Sequence, residues 1–482
     1  MACNWNNCVH FINMDGIIKK SITNFKFVFS AQSIVLLLGL LRAILIPIIL
    51  SIQGFGYWQI YLFYSSYVGM FALGFNDGIY LRYGSFQYED LPHKKLRTAI
   101  RMHVVILLIF SAAVLIYSGF IDDSQKQFAI NIVSANILIL GINGVFVYIL
   151  QITNQIKRYS FFSILPQIIL TIGVIVLAFL KVDRFEYLVI IDLFAKSIAV
   201  IGMILCCKEL WIGRSGDMKE GIKEYQLDVS VGIQLMLAQL MGMFVTGIGR
   251  LIVEWFGEIE DYSYYSLGIT ITSLVLVLIT SVSMLAYPTL KRLNEEHYPR
   301  YYKKINIILQ KFNFIVPLFY FLAAIFIFLI LPKYEPVLKY LNILFGVIML
   351  QAKMQLLNNT FYKALRKETA MMKANISSVV FFTILSIIIF PITKDVWSIA
   401  LCTFLVMVYR CYSTEIYLRK LLKINDFKGI ILELFYITLY VTVTSVLTLE
   451  ISFILYGLFL FCMAYKYRIA LITFIRNVKL KN

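Results

Sequence analysis

Seven basic residues of this 482-residue chain lie inside otherwise apolar stretches: Arg42, Lys196, Arg250, Lys311, Lys339, Lys353 and Arg410. A charge held in hydrocarbon costs at least ~2.5–3.5 kcal/mol on insertion scales, so such residues face a polar cavity or a partner. The acids read in the same setting are Asp77, Asp192 and Glu415, and a surplus of buried cations suits an anionic cargo. Arg42 sits roughly 5 Å beyond the middle of its stretch toward the outside, at ~1.5 Å per residue, too deep for easy snorkelling. It is the principal candidate for a cavity cation, with Arg250, Lys196, Lys353 and Arg410 as further substrate-binding candidates. Each has a plainer reading. Arg250 precedes Glu254 by four residues, and Asp192 precedes Lys196 by four, which is the spacing of an ion pair on one helix face.

Asp192 and Asp77 are the candidates for coupling transport to H+ or Na+, although Asp77, close to Arg82, reads more readily as a helix-end or turn residue. Lys311, Lys353 and Arg410, with Gln351, Gln355, Asn358 and Asn359, would form a basic inner vestibule unless each lysine or arginine snorkels to the interface. Asn131, Asn136, Asn143 and Gln151 give one stretch a polar stripe suited to interhelical hydrogen bonds or substrate contact. Enzyme signatures are missing: the sequence has no P-loop, no H-E-x-x-H, no G-x-S-x-G and no metal-like cluster of its seven cysteines and four histidines. No catalytic residue and no bound cofactor are expected.

These residues are carried by membrane helices. The chain is 60% hydrophobic and only 15% charged, with mean hydropathy +0.81. Soluble domains carry about 25% charged residues. Apolar windows long enough to span a bilayer recur along the whole length. Fourteen spans are predicted, at 27–50, 56–79, 102–120, 127–151, 160–180, 187–207, 229–253, 263–288, 306–331, 337–357, 374–391, 397–417, 429–447 and 453–465. With the N-terminus inside, cytoplasmic segments hold 32 Lys and Arg against 5 in the opposite loops. That bias places both termini in the cytoplasm and explains the net charge of +17 without nucleic acid. Every connection is too short for a soluble catalytic domain.

Arg42 and Arg250, Tyr57 and Tyr265, and Arg158 and Arg366 are each 208 residues apart, which points to two related halves. The expected fold is an all-α polytopic membrane protein of about 14 helices in two related halves. Its parts are a cytoplasmic amphipathic N-terminus (1–26), an N-lobe (27–207), a linker (208–228), a C-lobe (229–428) and a C-terminal pair of helices with a basic tail (429–482).

Several motifs resemble the polysaccharide or O-antigen flippases of the multidrug/oligosaccharidyl-lipid/polysaccharide exporter superfamily. They are Gly54-Phe55-Gly56-Tyr57, the run Gly74-Phe75-Asn76-Asp77-Gly78-Ile79-Tyr80-Leu81-Arg82-Tyr83-Gly84, Gln155-Ile156-Lys157-Arg158-Tyr159-Ser160, and Tyr362-Lys363-Ala364-Leu365-Arg366-Lys367. The second half opens similarly, with Gly249-Arg250-Leu251-Ile252, then Tyr265-Ser266 and Tyr287-Pro288. That family commonly places an acid before the arginine; here Gly249 stands there, so an ion pair using that acid is absent. The likeness runs from about residue 22 to 425. It implies two pseudo-symmetric six-helix lobes around a V-shaped cavity, with two C-terminal helices outside them, alternating access and a polyprenyl-pyrophosphate-linked oligosaccharide as cargo. It also implies a bacterial inner membrane, contact with membrane lipids, and other polysaccharide-assembly membrane proteins as partners. The alternatives are a multidrug or cation antiporter of the same fold, which would favour acids in its cavity, and a membrane polysaccharide polymerase, which needs a large outer catalytic loop.

Overall fold

The structure, a computed structural model, describes residue 27 and residues 30–462, apart from Ser85, Ser215, 292–294 and 426–427. The predicted amphipathic N-terminus and the basic tail beyond residue 462 lie outside the described residues, as do the side chains of Tyr287 and Pro288. All regular structure among the described residues is helical. The first half runs α1 (Ser30–Ile49), α2 (Ile52–Tyr67), α3 (Phe75–Arg82), α4 (His93–Ser118), α5 (Ser124–Ile152), α6 (Ile156–Leu180), α7 (Phe185–Cys206), α8 (Lys208–Trp211) and α9 (Met218–Phe256). The second runs α10 (Ile259–Lys291), α11 (Tyr298–Asn313), α12 (Val316–Ile330), α13 (Leu338–Lys353), α14 (Asn359–Ala364), α15 (Glu368–Thr393), α16 (Val396–Leu421), α17 (Lys428–Val446) and α18 (Leu449–Cys462). Eleven helical stretches among the described residues are long and apolar enough to cross a membrane. The other predicted spans fall on the α2–α3 segment, on α10 and on the short apolar α18.

The second predicted span, 56–79, is not one helix. After α2 the chain tightens into a 3-10 turn over Val68–Ala72, and Leu73 and Gly74 then adopt left-handed conformations at φ 51° and 81°. Glycine occupies 69, 74 and 78 here, whereas 208 residues on the chain has Val277, Val282 and Ala286 and α10 continues unbroken. Glycine accepts positive φ without a Cβ penalty, so the break is written into the first half alone.

The restarted helix α3 lies against α9 at almost backbone contact. A Cβ on Gly74 would stand 2.5 Å from the Ile233 nitrogen, one on Gly78 would collide with the Asp228 carbonyl, and one on Gly232 would collide with the Gly74 carbonyl. Small residues four apart permit such close helix approach in membranes. The crossing is pinned beside the glycines by Arg82, which pairs with Glu224 at 2.6 Å and with the fully buried Asp228 at 2.5 Å. Tyr83 donates a further hydrogen bond to Glu224.

The described residues form two compact units that divide between Met243 and Phe244, within α9 and not at the predicted linker. Residues 208–228 are held to the first unit: Arg97 donates to the carbonyls of Glu209 and Arg214, and the Gly216 N–H donates to Thr98 Oγ1 at 3.0 Å. In the second unit α17 is integral and not peripheral, because Asn342 of α13 donates to Ser445 and Thr444 at 2.7 and 3.1 Å. At ~1.5 Å per residue α9 is ~58 Å long, about twice the ~30 Å hydrocarbon layer, so its N-terminal part projects beyond the membrane.

The glycine crossing carries a direct test. Gly78→Leu forces α3 and α9 apart and should cost about 1–3 kcal/mol, the range for overpacking a tight contact. A detergent melting curve that matches wild type would refute the crossing.

Candidate functional site

In the first unit the predicted pair forms: Lys196 lies 2.5 Å from Asp192 on α7. The Asp192 carboxylate also accepts from the Tyr61 hydroxyl at 2.6 Å, and Asn136 of α5 donates to Tyr61 and to Ser65 at 2.8 and 2.9 Å. The ammonium rests 5.5 Å from the Tyr61 ring centre. This chain of contacts satisfies both charges and joins α2, α5 and α7. Asn136 thereby serves helix packing.

Arg42 is anchored differently. Its guanidinium donates to the Gln167 carbonyl at 2.9 Å, to Thr171 Oγ1 at 3.1 Å and to the Gln167 side-chain oxygen, all on α6. Asp192 acts on it electrostatically, but no carboxylate touches it among the described residues. Neutral acceptors fix the fork in place without cancelling its charge.

Asp77 stands in the first turn of α3, 8% exposed, beside a cavity of about 260 Å³ opened by the helix break. Tyr148 and Gln239 donate to its Oδ1, each at 3.3 Å. It forms no ion pair among the described residues; the nearby Arg82 turns to Glu224 and Asp228 instead.

In the second unit Lys353 is fully buried and bound on two sides, 2.6 Å from Glu415 of α16 and in direct contact with Glu433 of α17. Arg419 holds the other Glu415 oxygen at 2.7 Å, and Asn313 donates to Glu433 at 3.0 Å. Two cations and two carboxylates balance. The sequence reading overlooked Glu433, although it falls within the predicted span 429–447. Its presence turns Lys353 from a vestibule cation into the centre of a closed network. Asn358, expected on the same vestibule wall, is buried and donates to Thr414 at 2.9 Å, in a π-helical turn over Met354–Asn358. Lys339 pairs with Asp395 at 2.9 Å on an exposed surface.

Arg410 and Arg250 repeat the pattern of Arg42. Arg410, 3% exposed, donates through Nε and Nη2 to the Asn375 amide oxygen at 3.1 and 2.9 Å and makes no ion pair among the described residues. Arg250 likewise makes no ion pair there, and its buried Nε has no hydrogen-bond partner. The five candidate cations therefore fall into two classes. Both lysines are neutralised by carboxylates; the three arginines are not.

A family model described as polysaccharide biosynthesis protein matches residues 86–332. Among solved structures, the lipid II flippase MurJ in an inward closed conformation is similar at a TM-score of 0.62. It is 15% identical, over 93% of this chain and 100% of that one. An inward-facing multidrug resistance MATE family transporter of the MOP superfamily is similar at 0.54, with 14% identity over 83% of this chain and 100% of that one. At these identities the likeness establishes the fold. No curated protein sequence matches the chain.

The closed network predicts an asymmetric mutational response. Lys353→Met strands the buried Glu433 carboxylate, while Arg419 still holds Glu415, and should destabilise by about 3–5 kcal/mol, the cost of breaking a buried pair. Combining it with Glu433→Gln leaves Arg419 and Glu415 balanced and should restore most of the melting temperature. A double variant as unstable as the single would show that the network does not govern this region.

Proposed function

Because the chain belongs to the polysaccharide biosynthesis protein family, we propose that it is a flippase for a polyprenyl-pyrophosphate-linked oligosaccharide, a repeat unit of O-antigen, capsule or another surface polysaccharide. It carries this cargo from the cytoplasmic to the outer leaflet of a bacterial inner membrane by alternating access. The observation that carries the reading is the set of arginines that make no ion pair among the described residues, Arg42, Arg250 and Arg410. A diphosphate bearing sugars cannot enter hydrocarbon unaided, since desolvating its charges is prohibitive. Guanidinium forks match phosphate oxygens two at a time, which an ammonium cannot do. The polyprenyl tail stays in the bilayer throughout.

Coupling to H+ or Na+ does not fall naturally to Asp192, whose charge Lys196 already balances. The unpaired Asp77 is the one observation that favours the rival reading, a cation antiporter of the same fold. A polymerase is disfavoured by the short external connections, such as Ile121–Asp123 between α4 and α5.

Reconstitution separates the two. Purified protein in liposomes should move a fluorescent polyprenyl-pyrophosphate oligosaccharide between leaflets. Arg42→Ala and Arg250→Ala should each slow this about tenfold or more, since a hydrogen bond to a charged group contributes about 1.5–3 kcal/mol. Exchange of an organic cation without lipid movement would transfer the assignment to the antiporter. Full transport in both variants would remove the arginines from the site.

A further inference from the structure

The arginine-based reading makes no use of the cavity at the break between α2 and α3. Asn76 and Asp77, each 8% exposed, form its polar wall on α3, with Tyr148 of α5 and Gln239 of α9 behind them. The other lining residues are mainly apolar, and Met70 and Met243, each 36% exposed, mark its accessible edge.

That wall presents a carboxylate oxygen to which no side chain donates among the described residues. The donors Tyr148 and Gln239 both fall on Asp77 Oδ1, and no side chain among the described residues donates to Oδ2. Asn76 directs its amide nitrogen to the Gly141 carbonyl at 3.4 Å, while its buried Oδ1 has no partner. The open Asp77 oxygen on this wall suits a ligand that brings hydrogen-bond donors, since a hydrogen bond to a charged group contributes about 1.5–3 kcal/mol.

Size and composition decide which ligand. The volume of about 260 Å³ equals that of roughly nine liquid waters, at ~30 Å³ each. A bare metal ion needs several oxygens gathered at ~2–2.6 Å, and the described residues contain no group of three or more His, Cys, Asp or Glu side chains placed to hold one. The volume lies just below the ~300–1,000 Å³ of sites for larger organic ligands. A pyranose has hydroxyl donors around its edge and C–H faces that suit tyrosine and methionine. We infer that this cavity holds one sugar ring of the translocated glycan, a reading that rests on the flippase proposal, with the Asp77 carboxylate accepting a hydroxyl hydrogen. A site built to hydrogen-bond a hydroxyl rejects an analogue lacking it far more strongly than an apolar pocket rejects a missing methylene. The cavity is then where the glycan is distinguished from the lipid diphosphate that every such cargo shares.

The test is a melting experiment on the full-length purified protein with free hexoses and N-acetylhexosamines, since a ligand of the folded state raises the melting temperature by an amount that grows with its concentration relative to its Kd. At least one sugar should raise the wild-type value. Asp77→Asn should weaken its apparent affinity about tenfold or more. Met236→Trp, which fills the cavity without touching the acid, should abolish the rise, and it decides the matter if Asp77→Asn does not fold. A rise that is unchanged in both variants overturns the inference. So does a wild-type protein stabilised by Na+ or by acidification through Asp77 but by no sugar, which would make this a cation site. Protein that binds sugar in the melt yet moves no lipid-linked glycan in liposomes would refute the flippase reading and leave the sugar site standing.

Discussion

The governing constraint is that a charge within hydrocarbon must be matched or held for a purpose. Most of the embedded charges described here obey the first rule. Lys196 has Asp192; Lys353 has Glu415 and Glu433; Arg419 shares Glu415. These pairs do not make the protein stable by themselves, because desolvation offsets most of the attraction between buried charges. They fix which helices meet. The Lys353 network joins α13, α16 and α17, and Tyr61, Asn136 and Asp192 join α2, α5 and α7.

Against that background the exceptions acquire meaning. Arg42 and Arg410 are oriented by neutral acceptors, a carbonyl, a hydroxyl and side-chain amide oxygens, so their geometry is fixed while their charge persists. Arg419, four residues from Glu415 and in contact with it, shows that this sequence pairs a guanidinium readily where pairing serves the fold. Asp77 is the converse exception. Its companion cation, five residues on, is drawn away by two acids on α9, and the carboxylate is left facing open volume.

The parts legible in the sequence were those set by local spacing. Helix periodicity and length placed the spans, and four-residue separation gave the Asp192–Lys196 pair. The closed fate of Lys353 was not legible, because Glu433 lies 80 residues away and Glu415 is no nearer a local partner. A single buried cation looks the same in sequence whether it awaits a substrate or a distant acid. The break after α2 was hidden for another reason: Val68 to Leu73 is as apolar as the helix before it, so hydropathy continues across a backbone discontinuity. Only the glycines at 69, 74 and 78 gave a signal, and their meaning emerged against the Val and Ala at the corresponding places of α10.

That difference between the halves links the glycine break to the chemistry of the cavity. Had the second helix continued, its own backbone would fill the volume beside Asp77, and the carboxylate would face a packed neighbour as an unmatched charge. The left-handed step at Leu73 and Gly74 interrupts the helix there, and the glycine contact with α9 stops the restarted turn from collapsing elsewhere. The Arg82 clamp then secures the far end of α3, where Glu224 and Asp228 lie at 2.6 and 2.5 Å. An open acceptor wall inside a membrane protein is therefore the product of three local features, a break, a close crossing and a diverted cation. Each of them uses residues that a plain spanning helix would not require.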